Sequence, residues 1–338
     1  MIDFRYHLVS IIAVFLALAV GIVVGSTALQ PAVETSLHAT ENLLKAQIDR
    51  VTQDNTSLTQ EHAADEALAQ ASESRLLGHL LTGQNVVLVT APGSDSQMVT
   101  GLTTAIQKAG ATVTGTVALQ PQFFDDSDST EAKLSQLAQA LAGSSGLTLS
   151  SQRDGDPIAG QEAAAQVIAA AIATKTDPAF LTGAQSQAIL GGFAVSGYLR
   201  ISGPSGTITR LPPASLVIVI APSAPPSSTT ASAASLALVA VARQLEAASR
   251  GTVLAGSLAS SGPGSAIDEA VGGGKVSTID EADSASGQII TVQALSTLLA
   301  GRRPASYGVG PGAVPSPAPT PSASPTATTS PAAKVRHG

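Results

Sequence analysis

Between Leu8 and Leu29 the chain carries no charged residue, and only Ser10, Ser26, Thr27 and a few glycines interrupt its apolar character. At about 1.5 Å of rise per residue, a helix of that length crosses a hydrocarbon layer of roughly 30 Å. The run therefore predicts an N-terminal membrane anchor over residues 1–30, with Leu8 near its start. A cleaved signal peptide is the rival reading, because Arg5 followed by an apolar stretch also opens a secretion signal. Against it, the run is longer than a signal core, and the small-residue site Ala17-Leu18-Ala19 lies inside it rather than at its polar end. Arg5 precedes the run and no Lys or Arg follows until Lys45, so the positive-inside tendency places most of the chain on the non-cytoplasmic side. Ala13, Ala17, Gly21 and Gly25 recur every four residues and make a small-residue ridge that a second copy of the helix can approach closely; chance in an Ala- and Gly-rich chain is the alternative.

Pro31 can open a new helical segment. Beyond it Leu37, Leu44, Val51 and Leu58 recur at intervals of seven, with Ile48 and Asn55 at the alternate core position. A stripe of this period seeks a partner helix, and an Asn at an a-type position fixes register and favours a dimer. Residues 31–82 are thus expected to form a coiled coil, most simply a parallel homodimer; an amphipathic helix packed on its own domain is the alternative. Past His62 the seam would hold Asp65, Ala69 and Ser72, and the pattern fades.

Residues 83–303 carry the signature of an α/β domain. Asn85 to Thr90 reads as a buried strand, a helix follows from Ser94 or Asp95 to Ala109, and Thr112 to Ala118 makes a second strand. Residues 131–176 look helical and Ala-rich. Leu216–Ile220, Gly251–Gly256 and Val276–Ile279 read as strands, and Ala231–Ser249 and Ser286–Ala300 as helices. Continuous apolar strands alternating with helices predict a mainly parallel, Rossmann-like sheet covered on both faces. From 304 to 338 a Pro/Ser/Ala-rich composition predicts a disordered tail.

In such a sheet chemistry belongs at the carboxyl ends of the strands, here the loops after Thr90, Ile220 and Gly256. Ala91-Pro92-Gly93-Ser94-Asp95 is neither GxGxxG nor a P-loop. The loop Ser260 to Ser265 precedes a possible helix N-terminus and can hold an anion, or is simply a connection. The five histidines all lie outside Gly83–Ala300 and there is no cysteine, which excludes a Ser-His-Asp triad, a Cys-His dyad and an imidazole or thiolate zinc site in this domain. The carboxylate groups Asp125/Asp126/Asp128, Asp154/Asp156 and Asp280/Glu281/Asp283 lack EF-hand spacing, and His62, Asp65 and Glu66 share one helical face. No catalytic, cofactor-binding or metal-ligating residue is assigned, and no enzymatic activity is expected. A net charge of -7 leaves no basic surface expected to neutralise phosphates, which argues against nucleic acid as a partner.

The opening Phe4-Arg5-Tyr6-His7-Leu8-Val9-Ser10-Ile11-Ile12 and the apolar residues through Gly25 resemble the start of the actinobacterial copper-transporter family, the mycobacterial copper transport protein B type. The coiled coil, the α/β region and Tyr307-Gly308-Val309-Gly310-Pro311-Gly312 follow in the same order, so the likeness covers roughly residues 1–312. It implies an envelope protein described as pore-forming in the outer membrane and needed for copper efflux and resistance, with copper ion as transported substrate. The residues alone suggest another picture. Aromatics make up 3% and tryptophan is absent, unlike the girdled strands of a spanning barrel, and only Met1 and Met98 offer thioether ligands for Cu(I). Two functions follow: a copper-efflux channel or channel component, or a membrane-anchored coiled-coil scaffold that presents its α/β domain to envelope partners. Which envelope membrane holds the anchor stays open at this point.

Overall fold

The computed structural model describes residues 3–150, 157–176, 179–203, 206–207, 210–224 and 232–317, with side chains at 3–4, 27–40 and 207 outside the description. The chain divides into two units, Met1–Asp65 and Glu66–Gly338. The first consists of helix α1 (Asp3–Leu77), whose last turns belong to the second unit. Arg5–Ser26 is long and apolar enough to cross a membrane. The expected new start at Pro31 is not an element boundary: the backbone stays helical through it. Proline forfeits one intrahelical hydrogen bond there, and the helix formers Ala28, Leu29, Gln30, Ala32 and Glu34 on either side carry the helix on.

The second unit is a doubly wound sheet. Its strands are β1 (Asn85–Thr90), β2 (Thr112–Leu119), β3 (Leu199–Gly203), β4 (Gly206–Thr207), β5 (Leu216–Ile220), β6 (Gly251–Ala255), β7 (Ser277–Ile279) and β8 (Ser306–Tyr307). They lie in the order β4-β3-β2-β1-β5-β6-β7-β8. Neighbours from β2 to β8 run parallel, whereas β3 pairs antiparallel with β2 and with β4. The helices are α2 (Ser96–Lys108), α3 (Asp128–Ser145), α4 (Ala159–Ile172), α5 (Gly183–Val195), α6 (Ala233–Ala248), α7 (Ala266–Gly273) and α8 (Ala285–Leu299).

The strands read as unbroken apolar runs because both faces are buried, and the period of two sorts them. Val87, Val89, Val217, Val219 and Leu254 face a core shared with α3 to α7. Val86, Leu88, Leu216, Ile218, Ile220 and Val253 face the opposite core, shared with α2, α8, Leu77 and Leu81. Leu77 and Leu81 move a boundary. Residues 66–82, assigned from sequence to the coiled coil, belong to the α/β unit, where Leu77 and Leu81 are buried against its helices. The tail boundary moves as well: Ser306–Tyr307 adds a parallel strand beside β7, while residues 318–338 lie outside the described residues.

Two side chains hold the end of α1 to this unit. Both carboxylate oxygens of Glu66 accept the Ala285 N–H at 2.9 Å, at the N-terminus of α8. Buried Glu73 pairs with Lys108 Nζ at 2.5 Å. Glu66→Ala removes a charge from the favourable end of the α8 dipole and takes the acceptor from the amide of buried Ala285, an expected loss of about 1–2 kcal/mol. A melting temperature in circular dichroism identical to that of the parent would sink this account.

Candidate functional site

The order β2-β1-β5-β6 reverses direction between β1 and β5, which makes the space beyond Thr90 and Ile220 the topological switch point where such folds hold ligands. Here the two loops are stitched together. Ser94 Oγ lies 2.8 Å from Ala91 O, 3.0 Å from Ile220 O and 3.1 Å from Ala221 O. From the other side, Ser223 Oγ donates to Gly93 O at 2.8 Å. The hydroxyls of Ser94 and Ser223 are thus spent on loop carbonyls rather than left for a ligand.

Carboxylates already occupy the neighbouring sites where an anion would bind. Asp95 caps α2 by accepting the Gln97 N–H at 2.8 Å. Before α3, Asp125 accepts the Ser127 N–H and the Thr130 hydroxyl, each at 3.0 Å. In the Ser260–Ser265 loop, Ser265 caps α7, and Asp268 of the same helix accepts the Gly264 N–H at 3.2 Å. Glu66 does the same for α8. Beyond β7, Asp280 accepts the N–H groups of Val309 at 3.0 Å and Gly310 at 2.7 Å. Acidic residues far apart in sequence therefore lie along one edge of the sheet, because parallel strands send every following helix off with its N-terminus there.

Hydrogen bonds from the Ser127 backbone and side chain, then from Thr130, hold Asp125 below the usual carboxylate range. Burial, then the charge of Asp125, pushes the Tyr198 phenol up. At the opposite edge, burial pushes Glu246 above its ordinary value of 4.5, although the Thr252 N–H donates to it. A carboxyl whose folded pKa is raised stabilises fully below its unfolded pKa, and that contribution is lost as pH rises through the folded value. Glu246→Gln, which cannot ionise, is therefore expected to gain melting temperature relative to the parent between about pH 4 and about pH 7. A parent–variant difference constant across that range would contradict this.

The residues singled out from sequence lie along α1. Leu8, Ala13, Ala17, Gly21 and Gly25 fall in the apolar span, where a Cβ at either glycine would meet nothing within 4 Å. Leu44, Ile48, Val51 and Leu58 are each between 55% and 63% exposed, and Asn55 is exposed among them. Leu37 is on the same helix, its side chain outside the description. Asp154 and Asp156 also lie outside the described residues. Among the described residues no group of three or more His, Asp or Glu converges on a metal position. Sequence reasoning missed the Asp280 clamp; its signal was the Gly308/Gly310 pair in the segment that carried the resemblance.

The architecture defines a class: an α/β domain carried on a long helix whose first part can span a membrane. The chain belongs to the family described as "Copper transport outer membrane protein, MctB", which it matches over residues 1–317. It is 28% identical over 320 residues to proteins named Copper transporter MctB from Mycobacterium tuberculosis and Mycobacterium bovis, covering 93% of this chain and 98% of theirs. The protein of that name from Mycobacterium leprae is 29% identical over 322 residues, again covering 93% of this chain and 98% of its own length.

Proposed function

We propose that this protein serves copper efflux and resistance at the cell envelope as a membrane-anchored component of a copper channel. One observation carries the reading: the family match extends over residues 1–317, and the mycobacterial copper transporters align with nearly their whole length. The architecture supports a component rather than a barrel wall. The sheet buries both faces under its own helices and has no lipid-facing side to offer, while Arg5–Ser26 can cross a bilayer. Copper is cargo here, not a resident cofactor. A deletion strain is expected to accumulate copper and to grow poorly on it, with rescue by the full chain; unchanged copper content and sensitivity would overturn the proposal. Conductance of the purified protein in planar bilayers tests the channel itself.

A second reading is favoured by the exposed apolar stripe of Leu44, Ile48, Val51 and Leu58, which suits a scaffold dimerised through α1. The two readings are compatible, since a dimer can be the unit that joins a channel.

A further inference from the structure

The logic that collects carboxylates at one edge of the sheet collects cations at the other. Arg75 ends α1, Lys108 ends α2, Arg250 follows α6, Lys275 follows α7, and Arg302 and Arg303 follow α8. Backbone hydrogen bonds tie this edge together: Leu81 N–H donates to Ala109 O, Arg250 N–H to Ser215 O, Ser215 N–H to Asn85 O, and Thr278 N–H to Ala305 O. The row runs along the starts of β2, β1, β6, β7 and β8, with β5 between β1 and β6, about 24 Å at roughly 4.8 Å per strand. All six side chains are exposed, and among the described residues only Lys108 forms a salt bridge, with Glu73. Arg250 reaches Gln84. A net charge of -7 conceals this row, because most acids of the capping clusters lie at the far edge; Glu73, paired with Lys108, and Glu246, which accepts the Thr252 N–H, lie at this one.

We propose that the N-terminal edge of the sheet is a docking face for an anionic lipid surface. Its side chains are long and exposed and its charges gather at one sheet edge, which suits contact with a surface of phosphate headgroups. It contains no aromatic side chain on which a base could stack, a feature expected of a single-stranded nucleic-acid surface. The face is independent of copper transport, so either proposal can fail alone.

The test uses the full chain, held by its own apolar helix in nanodiscs of neutral phosphatidylcholine, and measures capture by immobilised vesicles. Vesicles containing phosphatidylglycerol are expected to bind it and pure phosphatidylcholine vesicles are not, with capture falling steeply as salt rises. Neutralising Lys275→Gln, Arg302→Gln and Arg303→Gln together is expected to weaken capture about a hundredfold, and Arg75→Gln with Arg250→Gln about thirtyfold. Circular dichroism of each variant checks that the fold is retained. Equal capture by neutral and anionic vesicles, or parental capture by both folded variants, overturns the proposal. Binding of a polyglutamate peptide without binding of anionic vesicles also overturns it, and assigns the face to an acidic protein.

Discussion

Replacing Gly308 by alanine is expected to destabilise the α/β domain by about 3–5 kcal/mol, a fall of about 10 °C in melting temperature. Gly308 has φ +129°, a conformation that L side chains rarely adopt, and a Cβ built there overlaps Oδ1 of Asp280. That carboxylate is 5% exposed and accepts the Val309 and Gly310 N–H groups, so displacing it leaves two amides without their acceptor and loosens the attachment of β8. Gly312→Ala separates the causes. Its φ is also positive, +81°, but nothing lies within 4 Å of the added Cβ, so only backbone strain of about 1 kcal/mol is expected. Equal losses in the two variants, read by thermal or urea unfolding, would show that the Asp280 clamp contributes nothing.

The second large effect concerns assembly. The full chain in mild detergent is expected to sediment as a dimer, and Ile48→Lys with Val51→Lys to weaken that dimer by several hundredfold, enough for monomers at micromolar concentration. Both side chains stand exposed on the single chain, so lysines there cost the monomer little while placing like charges face to face in the pair. Copies inserted in one membrane with the same orientation hold their helices parallel, and Asn55 then meets Asn55 of its partner, which sets the register. Asn55→Ile should keep the association but relax its oligomeric state. A parent that sediments as a monomer at all accessible concentrations ends the scaffold reading and leaves the copper proposal standing.

Local chemistry made much of this protein legible in advance. The uncharged run from Leu8 to Leu29 can be read because a bilayer needs little more than length and apolarity. Strands β1, β5 and β6 announce themselves because burial on both faces leaves continuous apolar runs, and α2 because Asp95 caps it and Gly110 stops it. The antiparallel pair β3 and β4 was hidden. Leu199–Gly203 buries only its first residue fully, so its pattern is no stronger than that of a loop until β2 offers an edge to pair with.

Long-range partners decided the rest. That α1 continues into the domain depends on Glu66 meeting Ala285, 219 positions away, and on Leu77 and Leu81 finding the core of α2 and α8. The Gly308/Gly310 motif has meaning only around Asp280. Composition reports a mildly acidic chain, whereas the fold gathers helix-capping acids at one edge of the sheet and a group of cations at the other. Sequence by itself determined which segments are apolar, helical or extended, because those properties reside in neighbours along the chain. The tertiary structure alone decided which carboxylate meets which amide and where charge accumulates, because parallel packing aligns the helix dipoles and brings distant residues to a common edge.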